Sequence, residues 1–251
     1  MKLVIEQLRI QYGSIIAIDD ISCAASRGKV TVVVGPNAVG KSTLLRACIG
    51  AVRPATGRVV LEGRAVHEWR AAALASRLAY VPQQSTVAGG FTVREVVELG
   101  RYALPPDRSH IDRAMGTMEV RELAERSFNH LSHGQQQRVT LARALAQSSD
   151  DGILILDEPM SGMDLDHMLR SMRLLRRLAE GGATILLAVH DLDAAAHFAD
   201  DAWLLQGGRL ALAGPAREVL KPGRLTETFG VRFDEVVTGS GELHLVPVFD
   251  P

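Results

Sequence analysis

Residues Gly35-Pro36-Asn37-Ala38-Val39-Gly40-Lys41-Ser42-Thr43 fit the pattern G-x-x-x-x-G-K-[S/T]. Glycines in such a run let the backbone curl until successive N–H groups point inward, an arrangement that cradles phosphate oxygens. A helix starting at the end of the loop adds the positive end of its dipole. In this pattern Lys41 reaches the β- and γ-phosphates of a nucleotide, and the Ser42 hydroxyl binds Mg²⁺. Farther along, Ile153-Leu154-Ile155-Leu156 ends in Asp157-Glu158. An apolar run closing on two acids calls for a cation or a reaction that needs them. Asp157 is placed to hold Mg²⁺ through water, and Glu158 to orient or deprotonate an attacking water. A helix N-cap would explain one of the acids but not both. His190 follows the apolar run 185–189, where it could hydrogen-bond a γ-phosphate, although a lone histidine is more often structural. None of the eight histidines shows metal-ligand spacing along the chain.

These residues need elements to hold them. Residues 30–34, Val-Thr-Val-Val-Val, read as a strand buried on both faces that leads into the loop, with a helix from 42 to about 49 behind it. Residues 3–21 alternate as an antiparallel β region, and 57–62 add a strand that turns at Gly63. From 92 to about 124 the period becomes helical, broken at Pro105-Pro106-Asp107. Segments 153–156 and 183–189 are buried strands joined by a crossover helix, 165–178. Residues 203–205 and 210–212 close a hairpin around Gly207-Gly208. Strands alternating with helices predict a largely parallel, doubly wound α/β sheet.

Composition narrows the class. Net charge is −1, from 28 Lys+Arg against 29 Asp+Glu, which argues against a broad nucleic-acid surface. The two cysteines, Cys23 and Cys48, lack CxxC spacing and read as small buried hydrophobes in a reducing compartment. The start of the chain has no signal-peptide core, and no apolar run approaches the roughly 20 residues of a membrane helix. A soluble chain is expected, with any membrane role passing through a partner.

Leu131-Ser132-His133-Gly134-Gln135-Gln136-Gln137-Arg138 lies shortly before the acidic strand and reads as a helix start with Ser132 as N-cap. It resembles the LSGGQ signature of ABC ATPases, and with the phosphate loop before it and the acidic strand after it the likeness covers nearly the whole chain. The resemblance implies a RecA-like phosphate-loop core (1–83 and 140–230), with an antiparallel β subdomain and an inserted helical subdomain (84–139). Residues 231–251 would be a short β tail. It implies ATP and Mg²⁺ as cofactors. Tyr12 would stack on adenine, although a half-buried strand tyrosine is an equal reading. Gln83, or Gln84 beside it, would touch Mg²⁺ and water and sense a transport partner. Ser161-Gly162-Met163-Asp164 resembles the SALD segment, with Asp164 its acid.

The resemblance further implies a head-to-tail pair of copies. The signature residues Ser132, His133, Gly134 and Gln135 of one copy would meet the ATP held by the other's phosphate loop. Residues 91–102 resemble the TVRELVxxGRYP stretch of importer ATPases for iron–siderophore complexes, haem and cobalamin. The tail from Phe229-Gly230-Val231 to Leu245-Val246-Pro247 is similar to theirs as well. Two membrane permease subunits and, indirectly, a substrate-binding protein are the implied partners, on the cytoplasmic face of the cell membrane. A soluble iron–sulfur cluster assembly ATPase of the same family and a phosphate-loop kinase are the rival readings.

The chain departs from the family pattern at several positions. Ala38-Val39 replace Gly-Ala or Gly-Ser, Gly162-Met163 replace Ala-Leu, and His133 replaces a glycine. The stretch from Arg101 to the signature is short for the importers. The imidazole of His133 is expected to point outward, so that His133→Gly leaves activity intact or raises it.

Overall fold

The computed structural model describes residues 2–149, 151–239 and 241–248; Met1 and, of the expected tail, residues 240 and 249–251 lie outside them. The alternating opening forms β1 (Leu3–Tyr12) and β2 (Ile15–Ala25), followed by β3 (Val30–Val34), α1 (Lys41–Cys48), β4 (Thr56–Leu61) and β5 (Arg64–Ala65). Next come α2 (Ala71–Ala75), β6 (Leu78–Val81), α3 (Val93–Glu98), α4 (Arg108–Thr117) and α5 (His133–Gln147). The chain continues through β7 (Ile153–Asp157), α6 (Leu165–Glu180), β8 (Thr184–Ala188), α7 (Leu192–Phe198), β9 (Asp201–Gln206) and β10 (Arg209–Pro215). It ends in α8 (Ala216–Val219), α9 (Pro222–Phe229) and the hairpin β11 (Phe233–Val237) with β12 (Leu243–Pro247).

Two sheets carry the architecture. One has the order β2-β1-β4-β5 and is antiparallel; the other has the order β10-β9-β3-β8-β7-β6 and is parallel except for β10. Every residue of β3, β7 and β8 is buried, as expected of a sheet covered on both faces. The side-chain period of two then sends alternate residues into two cores. Val30, Val32 and Val34 join Leu154, Leu156, Ile185 and Leu187 in one core, with the helices that follow α2. Val33, Ile153, Ile155, Leu186 and Ala188 join Leu44 and Leu45 of α1 and the inner face of the antiparallel sheet in the other.

The helical stretch between β6 and β7 packs on the first core through Val93, Val96, Met115 and Phe128. Capping boxes start two of its helices, Thr92 with Glu95 on α3 and Ser132 with Gln135 on α5. The expected subdomain edge at 139/140 falls inside α5, which runs unbroken because Val139, Thr140, Leu141 and Ala142 are all buried. Among the described residues no helix is long and apolar enough to cross a membrane. The parallel alignment of β3, β6, β7 and β8 has the main consequence for function. Their carboxyl ends lie along one edge, where open α/β sheets bind ligands.

Candidate functional site

The loop leaving β3 curls into α1. Gly40 sits just before the helix with φ 107°, and a Cβ there would lie 2.7 Å from the carbonyl oxygen of Ala17, so neither the conformation nor the space admits another residue. Within the curve the Lys41 ammonium donates to the carbonyl oxygens of Gly35 at 2.8 Å and Pro36 at 3.2 Å. Burial pulls its pKa down while the charges of Glu158 and Asp157 push the other way. A cleft of about 420 Å³ opens over the loop. It is walled by Ala17, Gln83, Glu158 and His190 and falls in the size range of small-molecule sites.

Three of the wall residues follow the ends of neighbouring strands: Gln83 after β6, Glu158 after β7 and His190 after β8. Asp157 ends β7 and is buried to 1 % exposure. Its carboxyl is pushed above the usual range by burial, partly offset by a hydrogen bond from the Ser42 hydroxyl and by the Arg46 and Lys41 charges. The Tyr80 hydroxyl, on the neighbouring strand β6, is pushed up by burial and by the Asp157 charge beside it. Asp157 Oδ1 nevertheless has no protein partner, although it is fully buried. A buried carboxylate oxygen beside a serine hydroxyl is a donor set suited to a hard cation.

Glu158 follows with φ 51°, in the left-handed region that residues other than glycine rarely occupy. Such backbone strain recurs where a side chain must be aimed. Here Gln83 Nε2 donates to Glu158 Oε2 at 2.7 Å, and the His190 ring pairs with Glu158 Oε1. Gln83, not Gln84, therefore faces the cleft. Its backbone is fixed in turn by Gln137, a buried residue of α5 whose amide donates to the Gln83 carbonyl oxygen at 2.7 Å.

The other expected site residues stand apart from the loop. Ser132 caps α5, accepting from the Gln135 N–H while Gln135 Oε1 accepts from the Ser132 N–H at 3.1 Å. Ser132, Gly134, Gln135, Gly162 and Asp164 line a second, smaller cleft of about 200 Å³. Asp164 caps α6, accepting from the His167 N–H at 2.9 Å and bonding its Nδ1 at 2.8 Å. Those bonds hold its carboxyl below the usual range. His133 is exposed on one side, as expected, but its ring also lies against the loop before α6: a Cβ on Gly162 would sit 2.1 Å from His133 Cδ2. Tyr12, 48 % exposed, pairs with Ile15 at the tip of the β1–β2 hairpin, two residues from Ala17. One chain thus brings together the loop, Gln83, Asp157, Glu158 and His190. It does not bring the 132–135 segment or Asp164 to them.

A family model described as ABC transporter matches residues 18–161, more than half of the chain. The chain belongs to the ABC transporter family. Among curated relatives, the hemin import ATP-binding protein HmuV of Rhodococcus jostii is 42% identical over 85% of this chain and 74% of its own length. The cobalamin import ATP-binding protein BtuD of Halobacterium salinarum is 39% identical over 92% of this chain, which spans 60% of that protein's length. Among solved structures, a dimeric bacterial ABC transporter cassette superposes with a TM-score of 0.78 at 25% identity, over 86% of this chain and 99% of that one.

Within this ABC chain, sequence reasoning missed Ala17, Arg46, Tyr80 and Gln137. All four act from strand or helix interiors, where residue type alone gives no signal. Tyr80 reaches Asp157 only because β6 pairs with β7 in a register that sets Tyr80 beside Ile155 and Val81 beside Leu156.

Proposed function

We propose that this chain is the ATP-hydrolysing subunit of an ABC importer for an iron chelate, haem or cobalamin, acting as a head-to-tail pair. The observation that carries the reading is Glu158, held between the Gln83 amide and the His190 ring on the wall facing the phosphate loop. In this reading the loop N–H groups and Lys41 bind the β- and γ-phosphates, and the hairpin around Tyr12 lies against adenine. Ser42, Asp157 and Gln83 would hold Mg²⁺, which would neutralise charge on the phosphates; the unpartnered Asp157 Oδ1 fits that duty. Glu158 accepts a proton from the water that attacks the γ-phosphorus, and ADP and phosphate leave. The His190 contact orients the carboxylate that receives the proton.

The separation of the 132–135 segment from the loop supports a paired arrangement, in which one copy's signature closes the other's cleft. The α5 N-terminus and the Ser132 hydroxyl are then the donors offered to the γ-phosphate. The haem and cobalamin importers among the relatives supply the substrate class, and with it the permease partners at the inner face of the membrane.

Glu158→Gln tests the chemistry. The variant should bind ATP with Mg²⁺, elute as a stable dimer and release phosphate at least ~10²-fold more slowly, the usual scale for a lost general base. Unchanged phosphate release would remove Glu158 from the role. Co-purification with polytopic subunits from solubilised membranes tests the transport assignment; recovery of soluble partners alone would favour the cluster-assembly reading.

A further inference from the structure

Histidine spacing along the chain gives no sign of a metal site, but the topology brings three candidate ligands together across space. Asp193 and His197 lie four residues apart on α7 and so share one helical face. The C-terminal hairpin lays β12 over that face and sets His244 on it, 51 residues from Asp193. One donor atom from each of the three residues lies within 4.8 Å of the others.

The hydrogen bonds among them already draw the candidate donor atoms together. His244 Nδ1 is 2.8 Å from Asp193 Oδ2, and His197 Nδ1 is 2.9 Å from the Asp193 carbonyl oxygen. An ion held by Asp193 and both imidazoles would take the place of the Nδ1 protons, because Nδ1 is the ring atom facing the carboxylate in each histidine, with His197 Nδ1 3.6 Å from Asp193 Oδ1. The two rings pack against each other, with centroids 4.6 Å apart and planes tilted by 38°. Leu245 N–H donates to Asp193 Oδ1 at 2.9 Å and steadies the carboxylate. Burial opposes the ionisation of Asp193, but the His244 and Leu245 hydrogen bonds and the two imidazoles outweigh it and hold the carboxyl below its usual range. The cluster lines an open cleft between α6, α7 and β12. Arg176, in the same cleft, is already paired with Asp200 at 2.8 Å.

We propose that Asp193, His197 and His244 bind one divalent transition-metal ion of the zinc, cobalt and nickel class, which fastens the C-terminal hairpin to α7. Two imidazoles and a carboxylate favour such ions over Mg²⁺ or Ca²⁺, which prefer all-oxygen sets. At metal–ligand distances of about 2.0–2.2 Å the donors must close by roughly an ångström or more, a movement open to side chains at a cleft mouth.

The test uses the full chain without an affinity tag, free of nucleotide and Mg²⁺. Zn²⁺ is titrated by calorimetry, and Co²⁺ by its visible absorption. One equivalent should bind, and affinity for it should fall at least roughly tenfold in His197→Gln and again in His244→Gln, the scale of lost metal-site groups. Glutamine keeps a hydrogen-bonding side chain at each position, and matching circular dichroism confirms folding. His167→Gln, which alters the separate His167–Asp164–Glu119 group, should leave that equivalent intact. Absence of saturable Zn²⁺ or Co²⁺ binding would overturn the proposal. So would equal binding by the His197→Gln/His244→Gln double variant.

Discussion

Asp157 sets the stability of the chain against the cation-holding role proposed for it. Its carboxyl is buried, its pKa is raised, and one oxygen lacks a partner. A raised folded-state pKa means that the unfolded chain gives up the proton first as pH rises. Stability from this group is therefore full below the usual carboxylate range and is lost as pH climbs through the folded value. The cost therefore grows as pH rises. Asp157→Asn should remove it and stabilise the nucleotide-free chain, by a fraction of the ~1–3 kcal/mol that an unsatisfied buried polar group typically costs. Each kcal/mol corresponds to roughly 2–4 °C in Tm at this size. The same variant should lose ATP hydrolysis. Thermal melts at pH 7.5 and near pH 4 check the sign: the gap between variant and parent should narrow at the lower pH. A variant less stable than the parent at pH 7.5 would refute the argument.

At the scale of elements, the informative contact joins the start of α5 to the loop before α6. The chain has histidine where the signature pattern has glycine, and glycine where the following pattern has alanine. The two departures compensate each other sterically, because the His133 ring fills the space that a methyl group at 162 would need. Gly162→Ala should therefore lower ATPase activity by an order of magnitude or more, whereas His133→Gly should leave it within a few-fold. Adding His133→Gly to Gly162→Ala should restore part of the loss. Recovery stays partial because φ is 73° at 162, and a side chain in that region costs of order 1–3 kcal/mol. Additive effects in the double-mutant cycle would show that the pair is not coupled.

This pairing also marks the limit of what the sequence discloses. The loop, the acidic strand and the signature were legible because each is a local run whose chemistry depends on its own residues. The buried strands were legible because β-branched and aliphatic runs have few alternatives. The His133–Gly162 contact, the Tyr80–Asp157 juxtaposition and the Gln137–Gln83 link depend on register and helix docking, which one residue's neighbours do not encode. The same holds for Asp193, His197 and His244, which only the fold brings together.

For the whole molecule, the six-stranded sheet is the shared wall of both cores, so neither can open far without exposing the other. Cys48 reports on this. It ends α1, the helix that completes the phosphate loop, and is 0% exposed in the core beneath the antiparallel sheet. Burial pushes its thiol up to about 12. Cys23, on β2, is shifted upward for the same reason, with the neighbouring Cys48 adding to it. A thiol must be both exposed and ionised to react, and Cys48 meets neither condition in the folded chain, whereas Cys23 is only partly buried. In a Cys23→Ser background, labelling of Cys48 at pH 8 should proceed only through opening of the molecule, and its rate should match the unfolding equilibrium measured by circular dichroism. A ligand that binds only the folded state suppresses opening in proportion to its occupancy, so ATP at ~100 times its Kd should slow labelling about 100-fold. Labelling much faster than global unfolding, and insensitive to ATP, would show instead that α1 frays independently of the sheet. The phosphate loop would then rest on a locally mobile helix rather than on the two-core framework.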